Sequence, residues 1–154
     1  MSVEIKLAYD DIESVKQLFC EYAGELNIDL EFQNFKYEIE SLPGKYALPF
    51  GRIYIATHNS NTAGCVALCR LDKTSCEMKR LYVRPQYRGK GIGESLAKQV
   101  INDAKSLGYG IMYLDTLTSL KYAVKLYKKL GFNETKPYYN NPLETVVYMR
   151  LNLT

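Results

Sequence analysis

Arg88-Gly89-Lys90-Gly91-Ile92-Gly93 places three glycines and two cations between an apolar run ending at Val83 and a segment of helical periodicity. Glycines let backbone N–H groups approach an anion closely, and a following helix N-terminus adds the positive end of its dipole. Arg88 and Lys90 bring charge suited to the same anion. Together these residues read as a phosphate cradle. A P-loop needs a Lys-Ser/Thr pair after its last glycine, whereas Gly93 is followed by Glu94-Ser95. The dinucleotide fingerprint G-x-G-x-x-G is one residue longer than Gly89-Lys90-Gly91-Ile92-Gly93. Both of those ligand classes are therefore excluded.

The spacing Val83-x-Pro85-x-x-Arg88-Gly89-x-Gly91-Ile92-Gly93 resembles the acetyl-coenzyme-A motif of the GNAT acetyltransferases, Q/R-x-x-G-x-G/A. Downstream, Ala123-x-x-x-Tyr127-x-x-x-Gly131-Phe132 is similar to the family's second landmark, a helix ending L-Y-x-K-L-G-F. The two landmarks lie in the family's order with a strand between them. The resemblance covers the chain from end to end.

That resemblance implies an α+β fold: a mixed, mostly antiparallel sheet flanked by about four helices and splayed between its fourth and fifth strands. It implies transfer of an acetyl group from acetyl-CoA to a primary amine by direct attack in a ternary complex, without a metal. The acceptor is left open among a small molecule, an amino acid and a peptide. A non-catalytic acyl-CoA-binding module is the alternative. By the same resemblance, backbone at Leu81, Tyr82 and Val83 pairs with the pantetheine arm. Amides of Arg88, Gly89, Lys90, Gly91, Ile92 and Gly93 hold the pyrophosphate, and Tyr127 protonates the departing thiolate. Many members carry an asparagine where this chain has Leu120, so that contact is expected to be absent or supplied by another group such as Thr118 or Ser119.

An ammonium must lose a proton before its nitrogen can attack. Glu77 is the candidate base, because its strand leads to the expected thioester position and the family often carries a carboxylate there; a water chain is the alternative. Period-two alternation puts Glu77, Lys79, Leu81 and Val83 on one face of the strand. Backbone N–H near Leu81 is the expected oxyanion donor. The family admits its acceptor between the first two helices and the last hairpin. Here that means residues 27–50 and 138–144, with Asp29, Glu31, Phe32, Phe35, Tyr37, Tyr46, Phe50, Tyr138 and Tyr139. Carboxylates and tyrosine faces suit a cationic amine.

These residues need a scaffold. Val3, Ile5 and Leu7 alternate as a strand, and Asp10 with Glu13 has capping-box spacing. Ile12, Val15, Leu18, Phe19, Tyr22 and Leu26 recur at helical spacing, as do Phe32, Phe35 and Ile39 before Pro43-Gly44. Three meandering strands are expected over Arg52–Thr57, Cys65–Leu71 and Cys76–Val83. A helix from Ile92 ends at Gly108, a short apolar strand covers Ile111–Leu114, and a last helix ends at Gly131. Closing strands are expected over Glu134–Tyr139 and Val146–Leu151.

At 154 residues the chain suits one domain, residues 1–154. Its 47% apolar and 24% charged residues are those of a globular protein, and a net charge of +3 is too small to argue for nucleic acid. The basic cluster Arg80, Arg84, Arg88 and Lys90, with Tyr82 and Tyr87, is short and is already explained by the cradle. No apolar stretch approaches the roughly 18 residues of a membrane span. The start Met1-Ser2-Val3-Glu4 has no basic leader, and the four cysteines form no C-x-x-C pair, so free thiols in the cytoplasm are expected. A homodimer is compatible with this reading.

Overall fold

The computed structural model describes residues 2–27, 29–31 and 34–154. In chain order the elements are β1 (Val3–Leu7), α1 (Ile12–Leu26), α2 (Phe35–Ser41), β2 (Arg52–His58), β3 (Asn61–Arg70), β4 (Ser75–Val83), α3 (Ile92–Ser106), β5 (Ile111–Leu117), α4 (Lys121–Lys129), β6 (Asn133–Glu134) and β7 (Val146–Asn152). They form one seven-stranded sheet ordered β1-β2-β3-β4-β5-β7-β6. Every neighbouring pair is antiparallel except β4 and β5. This is the expected α+β architecture.

The helices follow from their apolar spacing. Val15, Leu18 and Phe19 of α1 are fully buried, and its cap is Asp11, which accepts from the Ser14 amide at 3.3 Å. The Asp10–Glu13 box is therefore displaced by one residue. Ile92, Leu96, Ala97, Val100, Ile101 and Ala104 form the buried stripe of α3. The helix α2 begins at Phe35; Phe32 lies outside the described residues. No helix among the described residues is long and apolar enough to cross a membrane.

The sheet separates two cores. One holds Met78, Ile92, Leu96, Met112, Leu114, Tyr127 and Phe132 on the side of α3 and α4. The other holds Val15, Leu18, Phe19, Tyr46, Ile53, Cys69 and Tyr82 on the side of α1.

Two departures from the expected pattern shape the site. In β4, Cys65 of β3 faces Tyr82 and Ala67 faces Lys79, so Arg80 and Leu81 together oppose Val66. This is a β-bulge, with Arg80 at φ +62°, a left-handed conformation that a non-glycine residue rarely adopts. The extra residue reverses the alternation. Leu81 and Val83 pack with the α3–α4 core, while Glu77 meets Cys69 in the opposite one. The single face expected for Glu77, Lys79, Leu81 and Val83 is thus broken at Arg80. At the other end of the chain β6 spans only Asn133–Glu134 rather than Glu134–Tyr139. Tyr138 and Tyr139 instead lie on the long β6–β7 connection.

Candidate functional site

The strands β4 and β5 share only three rungs: Ser75 with Ile111, Cys76 with Met112 and Glu77 with Tyr113. Beyond Glu77 they diverge, and a wedge-shaped cleft opens between Met78–Leu81 and Asp115–Leu117. Leu120, Ala123 and Tyr127 close its α4 side, and Asn141 and Leu143 approach from the β6–β7 connection. A second groove lies beside the first three rungs, lined by Lys45, Asp72, Glu77, Lys79, Tyr113 and Tyr138. Lys79 borders both.

Glu77 sits on the last shared rung and is only 5% exposed. Its Oε2 accepts the Tyr138 hydroxyl at 2.5 Å and lies 3.8 Å from Lys79 Nζ. Cys69 Sγ approaches its Oε1 at 3.6 Å. Burial first, and the Glu77 charge next, push the Tyr138 phenol pKa up, so the phenol remains the donor. Burial pushes the Lys79 ammonium pKa down, opposed by the neighbouring Glu77 carboxylate. Burial also raises the Cys69 thiol to about 12, so it is no ready thiolate nucleophile.

Tyr127 lines the cleft from α4, 7% exposed, with its ring edge-on to Phe132 at 5.8 Å. Desolvation raises its pKa, which keeps the hydroxyl protonated. The two candidate chemical groups therefore approach the start of the splay from opposite faces of β4.

At the far end of β4 lies the glycine loop expected to form the cradle. Gly89 and Gly91 adopt φ +79° and +78°, and Gly91 caps α3 with no side-chain hydrogen bond. Ser95 is the residue whose N–H returns to the Gly91 carbonyl, at 3.1 Å. The N–H groups of Ile92, Gly93 and Glu94 precede it and have no helical turn before them to accept. A Cβ at Gly89 or Gly91 meets nothing within 4 Å, so the surface above the loop is open to a ligand. Gly93 packs α3 closely on the strand, its Cβ position 3.6 Å from Val83 Cγ2. An anionic group fits here.

Arg88 does not point its charge at that anion. Its Nη2 binds both Glu25 carboxylate oxygens, at 2.6 and 2.7 Å, and its Nε donates to the Val83 carbonyl at 2.9 Å. The guanidinium ties α1 to the end of β4; Arg88 and Lys90 are both exposed. Leu81 lines the cleft. The Tyr82 hydroxyl contacts Glu21 Oε1 at 3.3 Å, on the α1 side.

The acceptor-side expectations fare unevenly. Tyr138 and Tyr139 reach the groove. Tyr46 is wholly buried in the α1-side core, and Tyr37 and Phe50 are exposed, at 71% and 50%. Asp29 accepts from the Glu31 amide, and Glu31 from the Lys36 amide. From the loop of residues 42–51, Lys45 reaches the groove.

Among the wall residues to which the sequence reading gave no functional role are Lys79, Asp115 and Asn141. Asn141 Nδ2 donates to Asp115 Oδ2 at 2.9 Å and brings an amide to the cleft that Leu120 lines. A signal existed for Lys79. The stretch Glu77-Met78-Lys79-Arg80 puts three charges into a strand whose neighbours are apolar, and charges so placed are seldom buried without a task.

The Acetyltransferase (GNAT) family matches residues 12–132, which include the glycine loop and the β4, β5 and α4 walls of the cleft. The chain belongs to the GNAT family. It is 46% identical to an uncharacterized N-acetyltransferase of Schizosaccharomyces pombe over 94% of this chain and 90% of that protein. A GNAT acetyltransferase structure from Staphylococcus aureus, 25% identical, superposes with a TM-score of 0.81 over 99% of this chain and all of its own. A GNAT acetyltransferase from Elizabethkingia anophelis, solved with acetyl-CoA bound, is 28% identical with a TM-score of 0.57, over 66% of this chain and 76% of that one. The protein is a GNAT-type N-acetyltransferase, with the splay between β4 and β5 that carries its cleft.

Proposed function

We propose that residues 1–154 act as one acetyltransferase domain that moves an acetyl group from acetyl-CoA to a primary amine by direct attack in a ternary complex. The observation that carries this reading is the position of Glu77. It stands on the last rung before the sheet opens, with the cleft on one side and the groove on the other.

The thioester of acetyl-CoA supplies an electrophilic acyl carbon and a thiolate leaving group. The open loop of Gly89, Lys90, Gly91, Ile92 and Gly93 would hold its pyrophosphate, whereas the Arg88 amide is already committed to the Pro85 carbonyl at 3.3 Å. The β4 edge from Leu81 to Val83, freed by the splay, would run beside the pantetheine arm. Glu77 accepts the first proton of the acceptor ammonium and passes it to water through the groove. The Arg80–Leu81 bulge leaves an N–H outside the ladder that can face the developing oxyanion. Tyr127 donates its proton to the sulfur, and the second proton of the attacking nitrogen restores the phenol through solvent. One C–N bond forms as one C–S bond breaks. Burial raises the pKa of the Cys65, Cys69 and Cys76 thiols, which supports direct transfer rather than an acyl group carried on one of these three.

The experiment is thiol release from acetyl-CoA with a panel of amines, followed by mass spectrometry of the products. Amine-dependent thiol release with a product 42 Da heavier (one acetyl in place of one hydrogen, ~42 by formula) is expected. Tight coenzyme A binding with no thiol release on any amine would make the protein a binding module instead.

A further inference from the structure

The strand β1 lies at one end of the sheet, with β2 as its neighbour on one side and an open edge on the other. Its pairing is regular, from Val3 opposite His58 to Leu7 opposite Tyr54. The bonds that flank it show which backbone groups β2 uses. The Ser2 carbonyl accepts the Asn59 amide at 2.8 Å, and the Ala8 amide donates to the Ile53 carbonyl at 3.0 Å. In an antiparallel ladder the N–H and C=O of one residue point the same way, and the direction alternates along the strand. Glu4 and Lys6 therefore bond to β2 in phase with Ser2 and Ala8. The N–H and C=O groups of Val3, Ile5 and Leu7 point to the open edge. Such a row is a template for another strand.

The side chains say which strand. Ile5 packs against the α3-side core, and period two puts Val3 and Leu7 on the same face. Those two are 37% and 45% exposed. Glu4 and Lys6 are exposed on the opposite face, and neither has an ion-pair partner among the described residues. Val3-Glu4-Ile5-Lys6-Leu7 thus carries an apolar residue at each end and opposite charges on either side of Ile5.

We propose that a second copy of this chain pairs with the β1 edge, antiparallel, about a two-fold axis at Ile5. Ile5 then exchanges both backbone hydrogen bonds with Ile5 of the second copy, and Val3 exchanges its own with Leu7. Glu4 of each copy faces Lys6 of the other at the closer, non-hydrogen-bonded positions. Val3 and Leu7 of the two copies meet on the α3 side and carry its apolar face across the axis. The charges select this register. A slip of two residues keeps the backbone in phase but sets Glu4 against Glu4, or Lys6 against Lys6, and a slip of one puts the outward groups out of phase. A self-complementary contact of this kind closes as a dimer. It goes beyond acetyl transfer, since β2 and β3 stand between β1 and the splayed strand β4.

Sedimentation equilibrium of the full chain over a range of concentrations tests the pairing. The unmodified protein should show a monomer–dimer equilibrium. Glu4→Lys gives each edge two cations, and Lys6→Glu gives each edge two anions. Either variant alone should raise the dimer dissociation constant by about 10-fold or more, as two pairs turn from attraction to repulsion. Mixing the two variants should restore association, and so should the exchanged chain Glu4→Lys/Lys6→Glu. Recovery on mixing also shows that both variants are folded. A monomer at every concentration would overturn the proposal and leave the edge to a strand of a different protein. A dimer that neither variant weakens, or folded variants that stay apart when mixed, would overturn it and put the contact on another surface.

Discussion

The Tyr138 hydroxyl donates a 2.5 Å hydrogen bond to Glu77 Oε2, linking the β6–β7 connection to the last rung that β4 shares with β5. The contact spans 61 residues of sequence. With the Cys69 thiol on Oε1 and the Lys79 ammonium near Oε2, it fixes the orientation of the carboxylate.

Tyr138→Phe removes that donor and keeps the ring. The carboxylate then loses the donor that orients it, so kcat/KM should fall by about 10-fold with the melting temperature little changed. Unchanged kcat/KM would show that the tyrosine only packs.

Tyr127→Phe deletes the phenol from a site whose burial raises its pKa. Turnover should fall by roughly 10²–10⁴-fold, with melting temperature and coenzyme A affinity little changed. The sign of the shift adds a second check. A raised pKa keeps the acid protonated through pH 10, so the wild-type rate should show no descending limb there that the substitution abolishes. A variant that melts early yet turns over normally per folded molecule would assign Tyr127 to the core alone.

Gly91→Val should weaken coenzyme A binding by at least about 10²-fold in calorimetry. The side chain would enter the open surface where an anion must meet backbone, at a φ of +78°. No protein atom lies within 4 Å of the new Cβ, so the fold should lose only about 1–2 kcal/mol to the left-handed conformation. Unchanged affinity would remove the phosphate from this loop.

Arg80 and Glu38 form a buried bidentate pair, at 2.9 and 3.0 Å, that fastens α2 to the bulge. Burial raises the Glu38 pKa, but the hydrogen bonds and charge of Arg80, with Lys45 and Lys79, outweigh it and the net direction is down. A depressed folded-state value contributes stability above the unfolded pKa of about 4.3 and loses it as pH falls through the folded value. Glu38→Gln should cost about 3–5 kcal/mol at pH 7, because Arg80 is left buried without a countercharge. The gap to wild type should narrow as pH drops below about 4. Denaturant titrations at several pH values would show this. A pH-independent gap would place the cost in packing.

Much of this architecture was legible in the residues. Gly91 marks the start of α3, and glycines at 108 and 131 stand just beyond the ends of α3 and α4, because the left-handed backbone at those positions favours glycine. The order of elements along the chain and the splay followed from those marks and from the two family landmarks. The reversal at Arg80 was not legible, since an arginine in a left-handed bulge leaves no trace in alternation. Partners chosen by the tertiary fold were equally hidden: Arg80 meets Glu38 across 42 residues, and Arg88 is drawn to Glu25 across 63. The Tyr138 segment looked like a strand because its residues favour one, yet its tyrosines turn inward to hydrogen-bond carboxylates of β4 and β5.

The central claim is that Glu77, at the mouth of the splay, takes the proton from the attacking amine. Its most direct measurement is the pH–rate profile of Glu77→Gln beside wild type, with the best acceptor amine found in the panel. The substitution should lower kcat/KM by about 10²-fold or more near neutral pH, with the loss shrinking as pH approaches the value at which the amine deprotonates unaided. An acidic limb identical in wild type and variant, at equal folded protein, would contradict it and pass the role to water.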